Sequence, residues 1–135
     1  MSCELCEHPG GESLWQDRRC RVVRIAEPGY PGYCRVIWNV HAREMTDLDN
    51  ASRSHLLHVT FSVESVLRRL LRPDKINLAS FGNAVPHLHW HVIARFFGDP
   101  HFPESPWGSR QREPATDLPV LTSEAIAKAL RAALR

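Results

Sequence analysis

The 135-residue chain has no apolar run long enough to cross a bilayer. Its first residues, Met1-Ser2-Cys3-Glu4-Leu5-Cys6, lack the basic-then-apolar plan of a secretory signal. Charge of one sign is also scarce: 17 Lys and Arg against 15 Asp and Glu leave a formal +2. That is too little to imply a nucleic-acid polymer or an acidic membrane as partner. The clusters Arg18-Arg19-Cys20-Arg21 and Arg68-Arg69 are therefore expected on solvated faces. No internal repeat is present. These absences point to a cytoplasmic protein whose thiols stay reduced. Its four cysteines then read as metal ligands or small buried side chains rather than a disulfide framework.

What remains is an ordinary globular composition and enough chain for one domain with a core. Leu14 to Asp17 and Cys20 to Ile25 flank Arg18-Arg19 and read as a hairpin. Glu27-Pro28-Gly29-Tyr30-Pro31-Gly32 is a loop, and Tyr33 to Val40 a strand. Thr46-Asp47-Leu48-Asp49 offers capping oxygens to a long helix ending at Leu71, before Pro73. Its Leu56, Val59, Val63, Val66, Leu67 and Leu70 recur at threes and fours, forming one apolar face. His55 and His58 are expected at its surface.

Lys75 to Ser80 is a further strand, Phe81 to Val85 a short loop, and His87 to Arg95 a last strand. Gly108 to Pro119 reads as a polar linker. Ile126, Ala129, Leu130, Ala133 and Leu134 stripe a final helix too short to persist undocked. The expectation is an α+β domain: an antiparallel sheet of about five strands, one long helix and a short C-terminal helix.

Most functional information lies in Pro86-His87-Leu88-His89-Trp90-His91-Val92-Ile93. On a strand, His87, His89 and His91 share one face at spacings of about 6.5–7 Å. Leu88, Trp90 and Val92 take the other, which looks like core. An imidazole that is half neutral near pH 6.5 can act as nucleophile, proton carrier or metal ligand. Cys3-x-x-Cys6 is a second candidate, a pair of zinc ligands or simply two N-terminal thiols.

His87-Leu88-His89-Trp90-His91-Val92-Ile93 resembles the signature of the histidine triad (HIT) superfamily, His-φ-His-φ-His-φ-φ with φ apolar. The context is similar too: a strand holding Asn77, a loop at Gly82-Asn83, then the triad. Upstream, Val36-Ile37-Trp38-Asn39-Val40-His41 and Thr46-Asp47-Leu48 look like the family's strand, histidine and helix start. The resemblance covers roughly residues 1–107, leaving 108–122 as linker and 123–135 as the extra helix. It lies nearest the bacterial dinucleoside-polyphosphate (diadenosine tetraphosphate) hydrolase-like members.

The resemblance implies cleavage at the α-phosphate of dinucleoside polyphosphates or related nucleoside phosphoanhydrides and phosphoramidates. His89 would form a nucleotidyl-histidine and His91 would donate to the α-phosphate. Asn77 and Asn83 become phosphate contacts, and Glu27 the nearest match to an acidic ribose contact. It also implies a homodimer, and a structural zinc on Cys3, Cys6, His41 and His87 that the chemistry itself does not need.

The chain departs from the family pattern in three respects, the first being that the acidic ribose contact has no clean match. Tyr33 stands where a histidine is usual, and Asn83-Ala84 where Gln and a hydroxyl residue are usual. Trp15 or Tyr30 could stack on a base. Two other readings compete: a metallohydrolase with zinc on all three triad histidines, and a non-catalytic nucleotide-binding module.

Overall fold

Asp17 makes the first hairpin. Its Oδ1 accepts the backbone N–H of Arg19 at 2.8 Å and of Cys20 at 2.7 Å, a local turn that competes with any helix. The strands on either side are β1 (Glu12–Gln16) and β2 (Cys20–Arg24). β3 (Tyr33–Trp38), β4 (Lys75–Ala79) and β5 (His89–Arg95) complete the sheet in the order β1-β2-β3-β5-β4. Every pairing is antiparallel. The computed structural model describes residues 2–135.

Cys3 opens a one-turn helix, α1 (Glu4–Glu7). The long helix α2 (Asn50–Leu71) starts at Asp49, whose side chain accepts the Ser52 N–H at 2.8 Å. It ends where Arg72 turns left-handed (φ 49°), just before Pro73. His55 Nε2 meets Asp17 Oδ2 at 2.6 Å, so α2 is tethered to the hairpin; His58 is exposed. α3 (Ser123–Ala133) is capped by Thr122. Ser123 Oγ donates to Glu12 at 2.6 Å and accepts from Arg24 at 3.0 Å, which fastens the helix to the hairpin.

Strand alternation gives the sheet two unlike faces. Cys34, Val36, Trp38, Val92 and Ala94 face the helices and share a core with Leu56, Val59, Val63, Leu67, Ile126 and Leu130. Each large side chain so buried contributes about 1.5–3 kcal/mol. Leu88 and, partly, Trp90 join this core. The opposite face carries Val23 and Ile37 against Leu5, then Tyr30, Tyr33 and Ile93. His89, His91 and Arg95 lie there too, and all three are buried. Among the described residues no helix is long and apolar enough to cross a membrane.

Two expectations need correction. β5 begins at His89, so His87 is not in the strand. Its N–H bonds the Val85 carbonyl at 2.8 Å, a tight turn around Pro86 that takes it out of the ladder. Residues 108–119 are irregular but not a free tether. Gln111 N–H reaches Pro100 O at 2.7 Å, Ala115 N–H reaches Gly98 O at 2.9 Å, and Arg112 reaches Asp99 O at 2.7 Å.

The anchor of that region is a buried ion pair. Arg95 is 2% exposed and Asp99 0%. Arg95 Nε and Nη2 donate to the two Asp99 oxygens at 2.8 and 3.1 Å, while other guanidinium hydrogens reach Asn77 and the Glu104 carbonyl. Asp99 also accepts the backbone N–H groups of Phe96, His101 and Phe102. Burial raises the Asp99 pKa, but Arg95 and these three N–H groups outweigh it and hold the carboxyl below its ordinary value.

A group so depressed stabilises the fold above its unfolded pKa of about 3.9, and that contribution disappears as pH falls through the lower folded value. Asp99→Ala strands a buried guanidinium and should cost about 3–5 kcal/mol at pH 7. Urea denaturation of wild type and variant at pH 7 and at acid pH checks this: the gap between them should shrink below about pH 4.

Candidate active site and metal centre

Cys3 and Cys6 are brought together by α1. The Cys3 carbonyl accepts the N–H groups of Cys6 and Glu7, both at 3.1 Å, so the two thiols leave one turn side by side. Leu5, between them, is buried against Val23 and Ile37. Arg21 fastens the segment from β2, donating to the Leu5, Pro9 and His8 carbonyls and to Asn39. Gly10 allows the chain to pass close to the sheet: at φ +86° a Cβ there would sit 2.9 Å from Ile37 and 2.7 Å from Leu5.

These thiols meet two histidines. His87 Nδ1 lies 3.3 Å from Cys3 Sγ, 3.5 Å from Cys6 Sγ and 3.2 Å from His41 Nδ1. His41 Nδ1 lies 3.5 Å from Cys6 Sγ. Zinc–sulfur bonds of about 2.3 Å and zinc–nitrogen bonds of about 2.0 Å in a tetrahedron give ligand–ligand edges of about 3.3–3.8 Å. The donor set and its spacings therefore fit a tetrahedral Cys2His2 metal site. His87 Nε2 donates to the Trp38 carbonyl at 2.6 Å, which turns the Nδ1 lone pair toward the thiols.

Asp17, Cys20 and His55 form a second close group among the described residues. Its bonds are internal: Asp17 already accepts two N–H groups and contacts His55. Burial, with Asp17 adding to it, pushes the Cys20 thiol up to about 12, so it stays protonated.

Beside the Cys2His2 cluster a cleft of about 550 Å³ opens, lined by Arg35, Asn83, His89, His91, Ser105 and Trp107 among others. His89 and His91 rings lie 5.0 Å apart. His89 Nδ1 donates to the His87 carbonyl at 2.6 Å, and that bond leaves the lone pair on Nε2. Burial pushes both imidazoles below their ordinary pKa, His91 to about 4. The Arg35 charge pushes both the same way, and on His89 the His87 carbonyl opposes. His91 is thus neutral at pH 7, and its buried Nδ1 has no partner.

Of the residues expected at the substrate, Asn83 lines this cleft and Asn77 and Glu27 do not. Asn77 gives its carbonyl to Arg95 at 2.7 Å. Glu27 borders a different hollow, of about 760 Å³, with Arg24 and Tyr30. That hollow holds none of the triad histidines, whereas the histidine cleft presents buried polar atoms without partners. Tyr30 is buried and Trp15 packs against the main core, so neither faces the cleft.

The aromatic rings at its mouth are Phe81 and Trp107, 62% and 52% exposed. Trp107 lies 5.5 Å from Phe81 and 4.9 Å from His91. Sequence reading also passed over Arg35, whose signal was there: it is the one charged residue in the apolar run Tyr33–Trp38.

The sequence matches the family model for the HIT domain over residues 11–98. No curated protein matches it. Among solved structures it is similar to a histidine triad protein of Bradyrhizobium japonicum, at 27% identity over 92% of both chains and a TM-score of 0.72. A histidine triad protein of Sinorhizobium meliloti is 25% identical over 99% of this chain and 96% of its own, with a TM-score of 0.75. A zinc-bound histidine triad family protein of Mycobacterium smegmatis is also 25% identical, over 99% and 94%, with a TM-score of 0.64. The five-stranded sheet, the histidine cleft and a domain match spanning more than half its length together make this chain a member of the HIT family.

Proposed function

We propose that the protein is a nucleotide hydrolase or transferase acting through a nucleotidyl-histidine on His89. The observation that carries this is the 2.6 Å bond from His89 Nδ1 to the His87 carbonyl. It fixes the tautomer in which Nε2 is an unprotonated nucleophile, on a side chain lining an open cleft. In the first step Nε2 bonds the α-phosphorus as the bond to the leaving group breaks, and the leaving group takes the electron pair. The Nδ1–H stays on the His87 carbonyl and steadies the charge the ring acquires. Water then attacks phosphorus, the electron pair of the P–N bond returns to Nε2, and the water's proton passes to solvent. An alcohol or phosphate in place of water makes the same chemistry a transfer.

His91, with a free Nδ1, and the amide of Asn83 are the groups proposed to hold the α-phosphate oxygens. Phe81 and Trp107 offer the base an aromatic surface. The metallohydrolase reading loses support because His87 Nδ1 is directed at Cys3, Cys6 and His41, away from a site shared by the three triad histidines.

The same reading assigns a structural zinc to Cys3, Cys6, His41 and His87. With four protein ligands no coordination position stays open for water, so the metal would fix His87, and through it His89, rather than take part in bond breaking. A homodimer, implied by the family resemblance, completes the proposal; sedimentation velocity reads it directly.

His89→Ala should abolish turnover of a dinucleoside polyphosphate while nucleotide affinity stays within about tenfold. Activity above about a tenth of wild type contradicts a histidine nucleophile. Rapid quench with α-phosphate-labelled substrate should trap an acid-labile, base-stable label on the peptide from Phe81 to Arg95.

Purified protein should also carry close to one zinc per chain by elemental analysis. Cys6→Ser should lower both zinc content and melting temperature, since a structural metal contributes folding free energy. Chelation at a temperature where the fold persists should leave the chemistry running; immediate loss of activity there would favour a catalytic metal.

A further inference from the structure

Arg35 is anchored but incompletely bonded. It stands on β3 directly across the ladder from His91. One guanidinium nitrogen, Nη1, donates to the Gly10 carbonyl at 3.2 Å. Its Nε is buried and has no partner. A buried N–H left unmade costs free energy, and more so on a charged group. The second unpartnered buried side-chain nitrogen among the described residues is Nδ1 of His91, across the same ladder. Arg35 Nε–H can only donate, and neutral His91 donates from Nδ1 when its single ring proton sits there; both residues line one cleft, which suits a ligand rich in acceptor oxygens.

The charge balance of the cleft agrees. Arg35 and Glu4 are its charged side chains besides the histidines, and Glu4 is exposed at the rim. A fixed guanidinium fork suits a phosphate, which it can hold through more than one N–H.

We propose that Arg35 clamps the leaving phosphate and thereby confines turnover to phosphoanhydrides, nucleotides joined through P–O–P bonds, in preference to phosphoramidates. The proposal rests on the nucleotidyl-histidine reading of His89. When a P–O bond breaks to a phosphate, the electron pair departs on an oxyanion that needs no proton, only positive charge beside it. When a P–N bond breaks, the pair departs on nitrogen, and the amine must gain a proton to leave. The cleft has a fixed positive charge to offer and little to supply a proton. Ala84 has no hydroxyl, and a guanidinium keeps its protons at neutral pH. Ser105 offers a hydroxyl at the exposed rim, a relay without a proton source of its own. Tyr33, edge-on to His91 at 6.1 Å, is buried, and burial holds its phenol above the ordinary range.

The test uses the full zinc-loaded chain with two substrates of one nucleoside, a dinucleoside tetraphosphate and a 5′-phosphoramidate, alongside binding of inorganic tripolyphosphate by calorimetry. Wild type should prefer the anhydride by about a hundredfold or more in kcat/KM. Arg35→Leu should lower anhydride kcat/KM by about 10²–10³-fold, cut phosphoramidate turnover by less than about tenfold, and weaken tripolyphosphate binding at least tenfold. Arg35→Lys should recover part of the anhydride activity, because the charge returns without the fork. Zinc content and melting temperature of both variants report whether the fold is kept.

Equal losses on the two substrates, or unchanged tripolyphosphate binding in Arg35→Leu, would overturn the clamp while the histidine mechanism stands. If wild type turns over neither substrate, the reaction itself is wrong. Tripolyphosphate binding then decides the clamp alone, standing if binding depends on Arg35 and falling if it does not.

Discussion

Everything at the functional end of this protein depends on how His87 is held. Its ring nitrogen Nε2 is committed to the Trp38 carbonyl, its Nδ1 to the Cys3, Cys6 and His41 cluster, and its own carbonyl to Nδ1 of His89. One residue thus connects the end of β3, the N-terminal segment and the reactive imidazole. A small rotation of this residue would move the carbonyl that sets the His89 tautomer. Burial of the ring, at 0% exposure, leaves it little room to do so.

The sheet carries two jobs because its faces are separate. On one, β-branched and aliphatic side chains pack against α2 and α3 in a conventional core. On the other, β5 presents His89, His91 and, beyond Ile93, Arg95, and β3 places Arg35 directly opposite His91. Polar groups tolerate such burial only where bonds are provided. Arg95 is fully provided for by Asp99, Asn77 and the Glu104 carbonyl. Arg35 and His91 each keep one nitrogen without a partner. The contrast between the two arginines, Arg95 at the end of the histidine strand and Arg35 on the neighbouring strand opposite His91, separates a fully bonded structural group from one with a nitrogen left unpaired.

The fold was largely readable in the sequence because its signals are local. The threes and fours of α2, the Asp49 cap, the stop at Pro73 and the alternation of β5 all act within a few residues. The histidine motif was readable for the same reason. Strict alternation nevertheless misplaced His87, because the turn at Val85–Pro86 delays the start of the ladder by two residues, to His89. The arginine of the cleft was harder to see: only pairing register puts Arg35 opposite His91, 56 positions later in the chain. Asn77 and Glu27 are polar residues in suggestive places, but Asn77 is spent on Arg95 and Glu27 sits beside another hollow. Motif spacing cannot report such prior commitments.

The cysteine cluster joins the two ends of a long loop, Cys3 to His87, a separation of 84 residues. During synthesis the thiols emerge first and the histidine that completes their site last. At about 5–20 residues per second, they wait on the order of ten seconds without their last partner. Closing so long a loop also carries an entropic cost, which the assembled sheet offsets by seating the N-terminal segment beside β3 and β5. The site is therefore a late event in the life of the nascent chain, and its completion marks a molecule whose strand order is already correct.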